Sequence, residues 1–184
     1  MTSSSITSQS EIPPLIADLG NENGLVRQRA RLHLVHIGRA GIPLLLEALK
    51  SPSVRIRWET VKVLGDLRVA ETAAPLTDML LDDNTGIRWS AMEGLIHLGR
   101  TSLRPLLELF TKNFNSPIVR EGLHHILHIF KDRHMLNKQE TILFEKLNRM
   151  GVSGFQTSWN SEAAWAAEKA LEVLIYESRE GNKK

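Results

Sequence analysis

Apolar residues recur along this chain at helical spacing, and the helical stripes themselves recur. An aliphatic residue followed by arginine stands at Val26-Arg27, Ile56-Arg57, Ile87-Arg88 and Val119-Arg120, in steps of 30, 31 and 32 residues. Counting the aliphatic residue as zero, offset four holds Ala30, Thr60, Ala91 and Leu123, and offset eight holds Leu34, Leu64, Leu95 and Leu127. Offset eleven holds Ile37, Leu67, Leu98 and Phe130. Offsets 0, 4, 8 and 11 trace one stripe of an α-helix, so four equivalent helices are predicted. Three residues before each zero stands Asn23, Ser53, Asn84 or Ser116. These residue types accept a hydrogen bond from a free N–H of the first helical turn. Pro117 follows at a first helical position, where its missing N–H is not needed.

The stretches between these helices repeat too. Pro14-Leu15, Pro43-Leu44, Pro75-Leu76 and Pro105-Leu106 each open an apolar-periodic run 12 to 14 residues before the zero. Proline is tolerated near a helix start and not in its interior, so each unit reads as two helices joined by a short polar turn. One such pair cannot bury its stripe alone and must stack on its neighbours. The expected fold is all-α: a right-handed α-solenoid of about five stacked antiparallel helix pairs. Residues 1–10, with five serines, read as a loose polar tail, residues 11–130 as four repeats, and residues 131–184 as a degenerate fifth pair capping the array. In that cap, Asn137 is the expected start of a helix running toward Met150, and Ser161 of one striped by Ala163, Ala167, Ala170, Leu171 and Leu174. Residues 151–160, with two glycines and no helical period, read as a loop between them.

Composition narrows this reading. The 184 residues are 42% apolar, normal for a chain with a continuous core. The absence of cysteine removes disulfides, thiolate metal sites and cysteine nucleophiles together. No apolar run approaches the ~18 residues of a membrane span, and no signal sequence is evident, so the cytoplasm is the expected compartment. A formal charge of +2 is too small to argue for nucleic acid by itself.

The motif [Asn/Ser]-x-x-[Val/Ile]-Arg-x-x-[small]-x-x-x-Leu, at a period near 30, resembles the short HEAT-like repeat typified by phycobilisome lyases. The resemblance covers roughly residues 12–130. It implies the helix-pair fold and spans lyase subunits, assembly factors and scaffolds in function. Di-iron hydroxylases built on HEAT repeats hold iron with His-Glu dipeptides, and this chain has none. In the repeats it resembles, the recurrent arginine ties neighbouring turns together. That implies a structural ladder at Arg27, Arg57, Arg88 and Arg120, with an anion-binding ridge as the alternative.

Trp58 and Trp89 both stand at offset two, opposite the core stripe, in consecutive repeats. Helices stacked ~8–10 Å apart make them neighbours on one surface. Offsets six and nine extend that face through Lys62, Gly65, Glu93 and Ile96 to His125 and His128. With Arg57 and Arg88 beside the rings, the expected site is a partner-binding strip of Trp58, Trp89, Arg57, Arg88, Lys62, His125 and His128 on the concave face. The competing reading packs each ring between repeats. His124 and His128 share one helix face, but two histidines fall short of the three or four ligands of a zinc site, so neither metal nor cofactor is expected. No nucleophile elbow or phosphate-cradling glycine loop is present, which argues against catalysis. The leading expectation is a protein-binding scaffold or assembly factor. The alternatives are a phycobilin lyase or isomerase subunit acting on a phycobiliprotein and, with least support, a nucleic-acid binder.

Overall fold

The computed structural model describes the backbone of residues 3–153 and 157–181 and the side chains of residues 10–149 and 161–180. Its helices are α1 (Ser3–Asp18), α2 (Gly24–Ile37), α3 (Ile42–Ala48), α4 (Val54–Leu67), α5 (Ala73–Asp78), α6 (Thr85–Leu98), α7 (Leu103–Lys112), α8 (Pro117–Asp132), α9 (Lys138–Ser153) and α10 (Thr157–Gly181). Short 3-10 turns lead into α3, α5 and α7. Among the described residues there is no strand, and no helix is long and apolar enough to cross a membrane. The chain forms two compact units, Met1–Leu98 and Gly99–Lys184.

In the N-terminal unit, α4 packs against both α2 and α6, while α1, α3 and α5 pack against α2, α4 and α6 respectively. The repeating stripe faces the interior: Ala30, Thr60 and Ala91 at offset four and Leu34, Leu64 and Leu95 at offset eight are all at most 1% exposed. Each predicted cap is made. The Asn23 side chain accepts from Leu25 N–H at 2.9 Å, Ser53 from Ile56 at 3.4 Å, and Asn84 from Gly86 at 2.9 Å. The α4 and α6 backbones approach closely where Gly65 meets Gly94: a Cβ on Gly65 would lie 2.9 Å from the Gly94 Cα. Offset twelve turns the chain out of α2 and α4 with a positive φ, at Gly38 (+71°) and Arg68 (+51°). Glycine adopts that conformation without the Cβ clash that Arg68 carries.

Two expectations for this unit need correction. Pro43, Pro75 and the C-terminal unit's Pro105 do fall in the first turns of α3, α5 and α7, but Pro13 and Pro14 lie inside α1. Helix also begins at Ser3, in place of the loose tail expected over residues 1–10. Ile12 within α1 and Leu19 just beyond its end are fully buried and anchor it. Pro13 and Pro14 withhold two N–H donors from α1, but upstream of them extension of an anchored helix gains about one hydrogen bond per residue fixed, which offsets the weak propensity of serine.

In the C-terminal unit, α8 packs against α7 and α9, and α10 packs against α7 and α9. The Ser116 hydroxyl caps α8 by accepting from Val119 N–H at 3.4 Å. Asn137 caps α9 as expected and does so reciprocally: its side chain accepts from Glu140 N–H at 3.0 Å while Glu140 accepts from Asn137 N–H at 2.8 Å. Glu140 is fully buried and is held by the Arg100 guanidinium through contacts of 2.7 and 3.0 Å. The small stripe Ala163, Ala166, Ala167 and Ala170 is the buried face of α10. The loop expected over residues 151–160 is largely helix, since α9 runs through Ser153 and α10 starts at Thr157; residues 154–156 lie outside the described residues. Ser161 is thus interior to α10 and is not its cap.

Candidate interaction surface

Arg27, Arg57 and Arg88 share a local task that repeats with them. Nη1 of Arg27 donates to the carbonyls of Asn21 (2.8 Å) and Glu22 (2.9 Å), and that of Arg57 to Ser51 (3.0 Å) and Pro52 (3.4 Å). Arg88 does the same with Asp82 (2.8 Å) and Asp83 (3.1 Å). Each guanidinium therefore ties down the turn that precedes its own helix. Two of them also reach the next repeat. Arg57 grips Asp82 with two bonds, Nε to Oδ2 at 2.8 Å and Nη2 to Oδ1 at 3.1 Å, and Arg27 Nε meets Glu59 at 3.1 Å. Burial alone would raise the Asp82 pKa, but the Arg57 fork, the Asn84 N–H and the nearby Arg88 together hold it below the ordinary carboxylate value. Arg57 and Arg88, expected at the partner-binding strip, thus already bind groups of the protein itself.

Glu59, 5% exposed, collects Arg27, Arg31 and, at 3.6 Å, Lys62. One carboxylate shared by three cations leaves the α2–α4 seam net positive. No periodic signal singles out Glu59: it stands at offset three, which Arg29 and Ser90 occupy in the flanking repeats.

Trp58 is 40% exposed and Trp89 52%. The Trp58 indole N–H donates to the Ser90 hydroxyl at 2.7 Å, which brings its ring beside the residue next to Trp89. Lys62 Nζ stands 4.9 Å from the centroid of the Trp58 ring, within cation–π range. The Trp58 edge thus bridges α4 and α6 while part of the ring faces solvent. Leu32, at offset six of α2, is 62% exposed. Offset nine does not continue this face: Gly65 is sealed against Gly94, and Ile96 is 4% exposed. The close α4–α6 approach closes the surface there. What remains open is a face of α2, α4 and α6 carrying Leu32, Lys62, Trp58 and Trp89.

His125 and His128 belong to α8 in the C-terminal unit. His128 Nδ1 lies 3.3 Å from Asp132, and its ring meets Phe144 edge-on at 5.9 Å. His124 stacks on Phe144 with centroids 5.4 Å apart, and its Nε2 is buried without a hydrogen-bond partner. Burial, reinforced by His128 and His125, lowers the His124 pKa against the opposing hydrogen bond to Asn148. Lys131 Nζ sits 4.7 Å from the Phe144 ring centroid. Among the described residues no group of three or more His, Cys, Asp or Glu side chains is placed to hold a metal ion.

Compared with known proteins, the chain matches none of the curated proteins searched. Residues 12–96, nearly all of the N-terminal unit and a little under half of the chain, match the model of the HEAT repeats family (HEAT_2), and this match supports a HEAT-repeat family.

Proposed function

We propose that the chain is a non-catalytic protein-binding scaffold or assembly factor that takes its partner on the exposed face of α2, α4 and α6. HEAT repeats generally act as protein-interaction scaffolds. The observation that carries the reading is the pair Trp58 and Trp89, exposed on neighbouring helices with Lys62 over the Trp58 ring. Tryptophan is enriched among the residues that dominate binding energy, because one rigid ring buries a large area at small entropic cost. The finer architecture belongs to the same proposal: a right-handed solenoid of about five helix pairs, four of them repeats within residues 11–130 and the last acting as a cap. The binding face is then the concave one, and the compartment the cytoplasm.

Bilin handling on a phycobiliprotein rests only on the likeness of the repeat motif to that of the phycobilisome lyases. Nucleic-acid binding is disfavoured by the commitment of Arg27, Arg57 and Arg88 to protein groups.

Capture from the native organism with wild-type protein, followed by titration of the recovered partner against Trp89→Ala and Trp58→Ala/Trp89→Ala, tests the site. Loss of at least about ten-fold in affinity is expected, the scale of a hot-spot side chain. Unchanged affinity in the double variant refutes the assignment. A recovered nucleic acid, or a co-purified tetrapyrrole absorbing in the visible, would favour the respective alternative.

A further inference from the structure

The C-terminal unit exposes a second aromatic surface, on the outer face of α10. Trp165 is 57% exposed and Tyr176 66%, although the opposite face of the same helix is buried through its alanines. Trp165, Lys169, Glu172 and Tyr176 are spaced i, i+4, i+7 and i+11, which puts them on one stripe. Two large exposed rings about 16 Å apart, with a lysine and a glutamate between them, give that stripe both apolar and charged groups for a partner. Their arrangement also specifies the partner. A two-fold axis crossing the helix midway between Ala170 and Leu171 exchanges Trp165 with Tyr176, Lys169 with Glu172, and Glu162 with Arg179. In an antiparallel pair of identical helices, every ring therefore meets a ring and each of these charges meets its opposite. A self-complementary patch of this kind is what an isologous contact requires.

We infer that the outer face of α10 is a homodimer interface in which two copies of this chain pair their α10 helices antiparallel. Lys169 Nζ already lies 2.8 Å from Glu172 within the helix, and Lys146 Nζ 2.8 Å from Glu162. In the pair, Lys169 is shared between its own Glu172 and that of the second copy, forming a four-charge network across the axis. At ~8–10 Å between helix axes, the rings at either end of the network cover it from solvent. Four rings, each burying at most about 150–250 Å², leave the contact near or below the ~1,200 Å² of a standard specific interface, so the dimer is weak and depends on concentration.

Sedimentation of the full chain from about 1 µM to about 500 µM tests this, a range that brackets weak association. Wild-type protein should shift from monomer to dimer within it. Trp165→Ala/Tyr176→Ala should stay monomeric, and Lys169→Glu, which sets four carboxylates around the axis, should weaken association at least ten-fold. The exchange Lys169→Glu/Glu172→Lys should restore it. A merely intrahelical Lys169–Glu172 pair would change thermal stability and leave the sedimentation alone. Because the chain has no cysteine of its own, register can be read directly. Ser161→Cys mixed with Glu180→Cys should join through a short bismaleimide, while neither should join to itself, its own copies lying about 28 Å apart along the helix. Monomer throughout, a dimer indifferent to Lys169→Glu, or Ser161→Cys joining to itself would each overturn the inference.

Discussion

Thr60 occupies an offset that its counterparts fill with Ala30, Ala91 and Leu123, and its hydroxyl is buried without a hydrogen-bond partner. A stranded polar group costs its desolvation, while the methyl group at the same Cβ packs usefully. Thr60→Val keeps the shape and removes the hydroxyl. It should raise the free energy of unfolding by about 1 kcal/mol, read from the urea midpoint at unchanged slope; a loss of stability would mean that the hydroxyl has a partner in solution. Among the described residues, His124 Nε2 is also buried without a hydrogen-bond partner. Burial favours its neutral form, so on acidification the unfolded chain takes up the proton first. The stability involved is intact above the ordinary histidine pKa of about 6.5 and falls as the pH drops below it. His124→Phe keeps a ring over Phe144 and cannot titrate. Its stability relative to wild type should rise between about pH 7.5 and pH 5, and a constant difference would show that His124 does not couple to folding.

At the scale of elements, most boundaries were legible because their causes are local. A cap residue, its acceptor geometry and the apolar stripe that follows lie within about three turns of one another, so Asn23, Ser53, Asn84, Ser116 and Asn137 announced their helices. The carbonyls held by Arg27, Arg57 and Arg88 are likewise five and six residues upstream. The boundaries that misled were those where packing overrode a breaker. Proline in α1 argues for interruption, and buried Ile12 beside it keeps the helix anchored. The α4–α6 seam was invisible in the same way. Gly65 reads as a gap in an exposed stripe and is in fact a point of close backbone approach to Gly94. In Gly65→Ala the added Cβ meets backbone, which cannot swing aside as a side chain can. The helices must separate, at a net cost of about 1–3 kcal/mol despite the better helix propensity of alanine. Thermal unfolding followed by circular dichroism measures it, and an unchanged midpoint would show that the seam relaxes freely.

At the scale of the whole molecule, two aromatic surfaces lie on different compact units and share no residue. Effects of substitutions at independent sites add. Trp165→Ala/Tyr176→Ala should therefore abolish self-association and leave partner capture through Trp89 intact, and Trp89→Ala should do the reverse. Co-precipitation and sedimentation on the same set of proteins would reveal coupling if either substitution moved both readouts.

What the sequence by itself determined is everything that repeats: the helical period, the caps, the turn-holding arginines and the pairing of the two tryptophans at one offset. These depend on residues a few positions apart, and a helix brings such residues together whatever surrounds it. Only the tertiary structure decided that Glu59 gathers cations from α2 as well as α4, that Trp58 leans on Ser90, and that the surface ends at the Gly65–Gly94 contact. Each of those joins residues about thirty positions apart, where the deciding factor is how closely two helices approach and which side chains then share the space.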